Sequence, residues 1–427
     1  MEPSKATVNY FRKKLRQQKR RKVLMFFIGL LIGGGIAFNI YYWYPLLQKE
    51  FNFPEISQFR KNIVEAETTI TSSTTEETTE TSTQVSEEEP FKPRTDVSKV
   101  NPKYASLNQE LEQTISGYNP SGTILVVKDN QVVLNNNYGK ALESSNDPIN
   151  STYMIASVQK FITSILVMNL IDEDKLSLET PLSNFYSNIP NSENITIDQM
   201  LSMTSGLFLE NKLKNSQSKE ESINYVVNNV TYQPTDKWRY SDVNFFLLGA
   251  IIEKISQTTY EDYFDQVIKV PLGLKNTGFY QANNINPNLI PSYGLNESGE
   301  VNQKPNTFSE SAVINELGTG NMYITTGDLL VMAQAMFDGK IVSRDVVEMT
   351  YAKKEYTYPY NYKAGLYDEN GHYYGHGIFR GYEPSIAFNK DASSAVIFLG
   401  NIYYKDGSNS GLAKKLFEQT SQYRVEN

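Results

Sequence analysis

The sequence predicts an α+β fold: an antiparallel sheet drawn from both ends of a globular region, with a helical region inserted between them, preceded by one transmembrane helix and a disordered linker. Three observations predict it. The β-rich runs 122–127 and 131–134 flank the turn residues Asp129 and Asn130, the pattern of a hairpin. Runs 385–389 and 392–399, separated by Lys390-Asp391, repeat that pattern near the C-terminus. Between them, roughly 172–340 is richer in helical periodicity and long loops. One sheet built from both ends is the economical arrangement.

Taken in order, residues 1–22 form a basic tail in which Arg12, Lys13, Lys14, Arg16, Lys19, Arg20, Arg21 and Lys22 crowd ahead of an uncharged run, 23–44. A helix of about 22 residues rising ~1.5 Å per residue crosses ~30 Å of hydrocarbon. The basic flank places the tail in the cytoplasm and the remainder outside, with Tyr41, Tyr42, Trp43 and Tyr44 as an outer aromatic belt. A cleaved signal peptide and a nucleic-acid-binding tail are the rival readings; no small-x-small cleavage site follows the run. Residues 45–99 read as an extracytoplasmic linker, because 65–89 is almost entirely Thr, Ser and Glu and has too little apolar surface to offset its ordering entropy. Residues 100–427 form the globular domain, opening with a helical stretch at 107–116 and closing with another at 412–423.

Composition excludes several chemistries. There is no Cys, hence no disulfide, thiol nucleophile or thiolate-held metal, and the two His, His372 and His376, cannot make a multi-histidine metal site. A net charge of −8 argues against nucleic acid as a partner. No metal or organic cofactor is implied.

Three elements carry chemistry. Ser157 and Lys160 in Ala156-Ser-Val-Gln-Lys160 stand three apart at the start of an apolar helix, where they share a face. There the Ser157 N–H faces outward towards a developing oxyanion, and burial of Lys160 disfavours its ammonium, leaving an amine able to act as base. The bland alternative is an N-cap serine beside a solvated lysine. Tyr240 and Asp242 in Trp238-Arg-Tyr-Ser-Asp242 lie at the mouth of a second apolar helix, placed to act as a base and to hold the lysine or a substrate amide; an aromatic staple with an Asp N-cap is the competing reading. The run Tyr373-Tyr-Gly-His-Gly-Ile-Phe-Arg380 precedes the C-terminal hairpin, and a strand there supplies a second oxyanion N–H together with His376 for a substrate carboxylate. A lone His is otherwise a structural residue.

Together, Ser-x-x-Lys, Tyr-Ser-Asp and His-Gly in this order resemble the class C β-lactamase and low-molecular-weight penicillin-binding protein group. The runs Ile195-Thr-Ile-Asp-Gln-Met-Leu-Ser-Met-Thr-Ser-Gly-Leu207, Val270-Pro-Leu-Gly-Leu-Lys-Asn-Thr-Gly-Phe279 and Gly318-Thr-Gly-Asn-Met-Tyr-Ile-Thr-Thr-Gly-Asp-Leu329 extend the resemblance over roughly 104–401. It implies Ser157 as acylated nucleophile, Lys160 as its activator and Tyr240 as base. Asp242, His376, Gly377, Ile378 and Phe379 would bind substrate, with the second oxyanion N–H near Ile378 or Phe379. The chain departs from the family pattern at Met203, where His is common, at Thr235, where Gly is frequent, and at Asp242, often Asn. Ile378 falls where the third motif usually ends in Gly, and the interval from His376 to Gly381 is one residue short. Implied substrates are D-alanyl groups of cell-wall peptide or teichoic acid, by a carboxypeptidase or esterase reaction, with β-lactams as further ligands. A β-lactamase is one alternative. The other is a non-catalytic cell-wall sensor or scaffold, which as a sensor would need a cytoplasmic output domain that 22 residues cannot form.

Overall fold

Two hairpins, one from each end of the domain, meet side by side. Strands β1 (Gly122–Lys128) and β2 (Gln131–Tyr138) pair antiparallel, turning through Asp129 and Asn130, both at positive φ. Near the other end, β3 (Tyr362–Lys363), β4 (Leu366–Glu369), β5 (His372–His376), β6 (Glu383–Asn389) and β7 (Ala395–Gly400) form an antiparallel meander. β7 joins β1, with Ile124 opposite Phe398 and Val126 opposite Val396, giving one sheet in the order β2-β1-β7-β6-β5-β4-β3. The expected sheet from both ends is therefore present, longer by the edge strands β3 and β4.

The structure, a computed structural model, describes residues 91–211, 216–234, 238–352, 361–369 and 371–425. The basic tail, the apolar run 23–44, the linker as far as 90 and Thr235 lie outside the described residues. Residues 91–99, read from the sequence as the end of the linker, lie against the domain. Phe91 and Val97 pack on its core and Thr95 is buried. No helix among the described residues is long and apolar enough to cross a membrane.

Alternation along the strands gives the sheet two buried faces. On one, Ile124, Val126, Ala387, Val396 and Phe398 pack under helix α1 (Ala105–Tyr118) and the C-terminal helix, Ser408–Gln422. On the other, Ile386, Phe388 and Ile397 meet the inserted helical region, whose centre is helix α2 (Gln159–Asp172). All but two residues of α2 are buried, as expected of a helix that is apolar all round, and helix α3 (Val243–Ser256) packs beside it. The N-terminus of α2 thus sits at the junction of sheet and helical region. The C-terminal helix is called α4 below.

Candidate active site

Ser157 occupies a single 3-10 turn, Ala156–Val158, directly before α2. Its predecessor Ala156 has φ 45°, a left-handed conformation costly for a residue with a Cβ. Neighbouring bonds hold that strain in place. Ile155 N–H donates to Met322 O (3.0 Å), and the Gln159 amide bridges Asn321 Oδ1 (2.8 Å) and Met322 N–H (2.9 Å). The Gly318–Leu329 run picked out in the sequence is thus the clamp that sets the serine turn.

Lys160, one helical turn on, is fully buried. Its ammonium donates to Ser157 Oγ at 2.8 Å and pairs with Asp242 Oδ1 at 2.8 Å. The Tyr240 ring lies beside it, its centroid 5.2 Å from Nζ. Burial opposes the charge, but the Tyr240 and Asp242 oxygens outweigh it and hold the lysine above its ordinary value. This corrects the expectation of a neutral amine: the segment is as buried as the sequence implied, yet Asp242, from a different element, supplies the counter-charge. The capping alternatives fail too. Ser157 does not cap α2, and Asp242, though at the N-cap position of α3, makes no side-chain capping bond.

The third element runs along β5 and its extension. A Cβ on Gly377 would lie 2.6 Å from Ser157 N and 2.9 Å from the Ala156 Cβ, so only glycine permits this approach. Gly377, rather than Ile378, is therefore the close-contact glycine of the third motif. The motif glycine thus stands one place after His376 rather than two, so the missing residue falls before it, and the tight bridge Phe379–Tyr382 follows. Ile378 is 44% exposed and lines the cleft beside Ser157. Gly377 N–H donates to Pro384 O (3.1 Å) and Phe379 N–H to Tyr382 O (3.0 Å). Phe379 is thereby engaged, while strand alternation turns the intervening Ile378 N–H away from β6, on the side of Ser157 N.

His376 lines the same cleft as Ser157, a space of about 560 Å³ walled by Trp238, Tyr367 and Tyr374. Its Nε2 faces Glu383 Oε1 at 3.1 Å, and Glu383, 1% exposed, takes a second bond on Oε2 from Asn409 Nδ2 at 2.7 Å. Sequence reasoning missed Glu383 and Asn409. They are joined to His376 by the register of β5 on β6 and by the docking of α4, neither of which leaves a local signal. A second cavity, about 240 Å³, opens on the other side of Tyr240 and Asp242 between Phe208, Val226 and Phe246. Among the described residues no cluster of His, Asp and Glu could hold a metal ion.

A cleft-facing serine beside a buried lysine, with a tyrosine, a carboxylate and two converging backbone N–H groups, is equipped for acyl transfer through serine. Similar proteins agree. Over 304 residues the chain is 27% identical to the "Putative penicillin-binding protein PbpX" of Bacillus subtilis, covering 70% of this chain and 75% of that one. It is 24% identical over 287 residues to the teichoic acid D-alanine hydrolase of Staphylococcus aureus, covering 64% and 69%. Its fold matches that of FmtA from Staphylococcus aureus with a TM-score of 0.64 at 19% identity, over 80% of this chain and 94% of that one. It also matches the D-amino acid amidase of Ochrobactrum anthropi SV3 with a TM-score of 0.61 at 16% identity, over 74% and 98%. The Beta-lactamase family model matches residues 108–420, most of the chain and every residue of the site, so this protein belongs to the beta-lactamase and penicillin-binding protein family of serine hydrolases.

Proposed function

We propose that the protein is a membrane-anchored, extracytoplasmic D-alanyl esterase of cell-wall polymers, working through an acyl group on Ser157. The observation that carries the chemistry is the Lys160 ammonium, bonded to Ser157 Oγ, paired with Asp242 and set beside the Tyr240 ring. A positive charge beside Ser157 Oγ stabilises the negative charge that develops there as its proton leaves. Tyr240 takes the Ser157 proton as Oγ attacks the ester carbonyl, and the tetrahedral oxyanion is met by the N–H groups of Ser157 and Ile378. The C–O bond to the polymer breaks and its alkoxide leaves with the proton held on Tyr240. Water repeats the sequence on the acyl-serine, releasing free D-alanine.

The charges of the cleft favour an ester over a D-Ala-D-Ala peptide. The peptide's leaving group brings a carboxylate, which calls for an available cation. Among the described residues lining the cleft, Lys414 pairs with Glu369 (2.8 Å) and His376 faces Glu383, while the buried Lys160 behind the serine pairs with Asp242. The relative named as a teichoic acid D-alanine hydrolase points the same way. Anchoring rests on the sequence of 1–44, and the Thr/Glu-rich stretch that follows gives the domain reach over a membrane-proximal polymer layer.

The test offers D-alanylated teichoic acid and a D-Ala-D-Ala stem peptide, side by side, to the wild type and to Ser157→Ala, and measures free D-alanine. Release from the teichoic acid by wild type alone is expected, with the peptide cut more slowly. Serine-independent release, or none from either polymer, overturns the reading.

A further inference from the structure

We propose that Met203 is a positioning residue for the Tyr240–Asp242 segment and that its thioether sulfur, acting as a hydrogen-bond acceptor, is the working group. The inference rests on the reading of Ser157 as nucleophile and names what holds that serine's partners in register.

Met203 ends the short helix–turn that begins at Ile197, and it is 1% exposed. Its φ is 59°, unusual for a residue with a long side chain, and this bend turns both its carbonyl and its side chain towards the start of α3. Three bonds result. Arg239 N–H donates to Met203 O at 3.0 Å, Ser241 N–H to Sδ at 3.4 Å, and Asn244 Nδ2 to the same sulfur at 3.5 Å. These donors bracket the loop on either side of Tyr240 and Asp242, the two residues that surround Lys160. Asn244 is fixed in turn by Ser205 Oγ on its Oδ1 and by Ser241 O on its amide. The loop thus hangs from the 203–205 turn rather than from a cap on α3, where Asp242 provides none.

A thioether suits this position for a physical reason. It accepts weakly, never donates, and has no proton to gain or lose near neutral pH. It offers the two N–H groups an acceptor without placing another titrating group near the Lys160 ammonium and the Asp242 carboxylate. Leucine would fill the same volume but offer no acceptor, leaving the Ser241 N–H and the Asn244 amide short of one partner each.

The experiment compares full-length wild type, Met203→Leu, Met203→Gln and Met200→Leu in hydrolysis of the p-nitrophenyl ester of D-alanine, alongside thermal melting. Met200 is equally buried on the same short helix, and its sulfur makes no hydrogen bond among the described residues. The expected result is a kcat about three- to tenfold lower for Met203→Leu, with KM within about twofold, because one or two weak hydrogen bonds are lost. Met200→Leu keeps wild-type kcat at a similar melting temperature, and Met203→Gln, whose Oε1 restores an acceptor, recovers turnover relative to Leu. Equal kcat for wild type and Met203→Leu overturns the proposal, as does an equal loss in Met200→Leu or a Gln variant no better than Leu. If Ser157→Ala retains hydrolysis, or the wild type shows none, the acyl-serine reading itself fails and this inference goes with it.

Discussion

Gly377 passes so close to Ser157 that a single added methyl group would sit 2.6 Å from the serine nitrogen. In the proposed mechanism that nitrogen is one of the two donors to the developing oxyanion, so contact geometry and catalytic geometry coincide there. Gly377→Ala has to push the β5 extension away from the serine turn, moving the Ile378 N–H with it. Loss of a single oxyanion donor costs about 100- to 1000-fold in kcat. We expect a fall of that order in turnover of a D-alanyl ester, with circular dichroism unchanged. A variant within tenfold of wild type would mean that the strand's closeness is incidental.

Gly365 offers the contrasting case. It turns β3 into β4 at φ 85°, and a Cβ there would fall 2.2 Å from the backbone nitrogen of Phe161 in α2. This contact packs the edge hairpin onto the central helix and lies off the oxyanion side. Gly365→Ala combines left-handed strain with overpacking, together about 2–4 kcal/mol. The measurement is the urea midpoint, which should drop well below that of Gly377→Ala.

The charge on Lys160 makes a pH prediction. Its pKa rises on folding despite burial, because Tyr240 and Asp242 more than offset the lost hydration. A lysine raised in this way adds stability that is whole below its unfolded value near 10.4 and is lost as pH climbs through the folded value. Asp242→Asn removes one of the two offsetting groups and lowers the folded value. The stability gap between wild type and Asp242→Asn should therefore be widest at neutral pH and narrow as pH rises past about 10. Urea titrations at pH 7, 9, 10 and 11 would show it. A gap that grows with pH would show that Lys160 is held as an amine.

What was legible in the sequence was local. Ser157 and Lys160 share a helix turn, and Tyr240 and Asp242 share a loop, so spacing alone set each pair. The hairpins 122–134 and 385–399 announced themselves through turn residues between β-rich runs. Three things were not legible. The charge of Lys160 depends on Asp242 arriving from another helix. One missing residue after His376 can be absorbed before or after the motif glycine, and only the contact between Gly377 and Ser157 decides. The partners of His376 depend on strand register and on where α4 docks.

The last of these makes its own prediction. Glu383 is a carboxylate at 1% exposure whose shown partners are His376 and Asn409, and a buried charge that loses a partner is costly. His376→Ala leaves Glu383 with only the Asn409 amide, so it should destabilise the domain by about 1–3 kcal/mol. Adding Glu383→Gln removes the stranded charge while keeping an acceptor for Asn409, so the double variant should be more stable than His376→Ala alone. Glu383→Gln by itself keeps the imidazole but weakens its orientation, and kcat/KM should fall about tenfold, the loss of one charge-assisted hydrogen bond. Denaturant midpoints and ester kinetics on the three variants check the set. A double variant less stable than either single would show that Glu383 draws its stability from contacts other than His376.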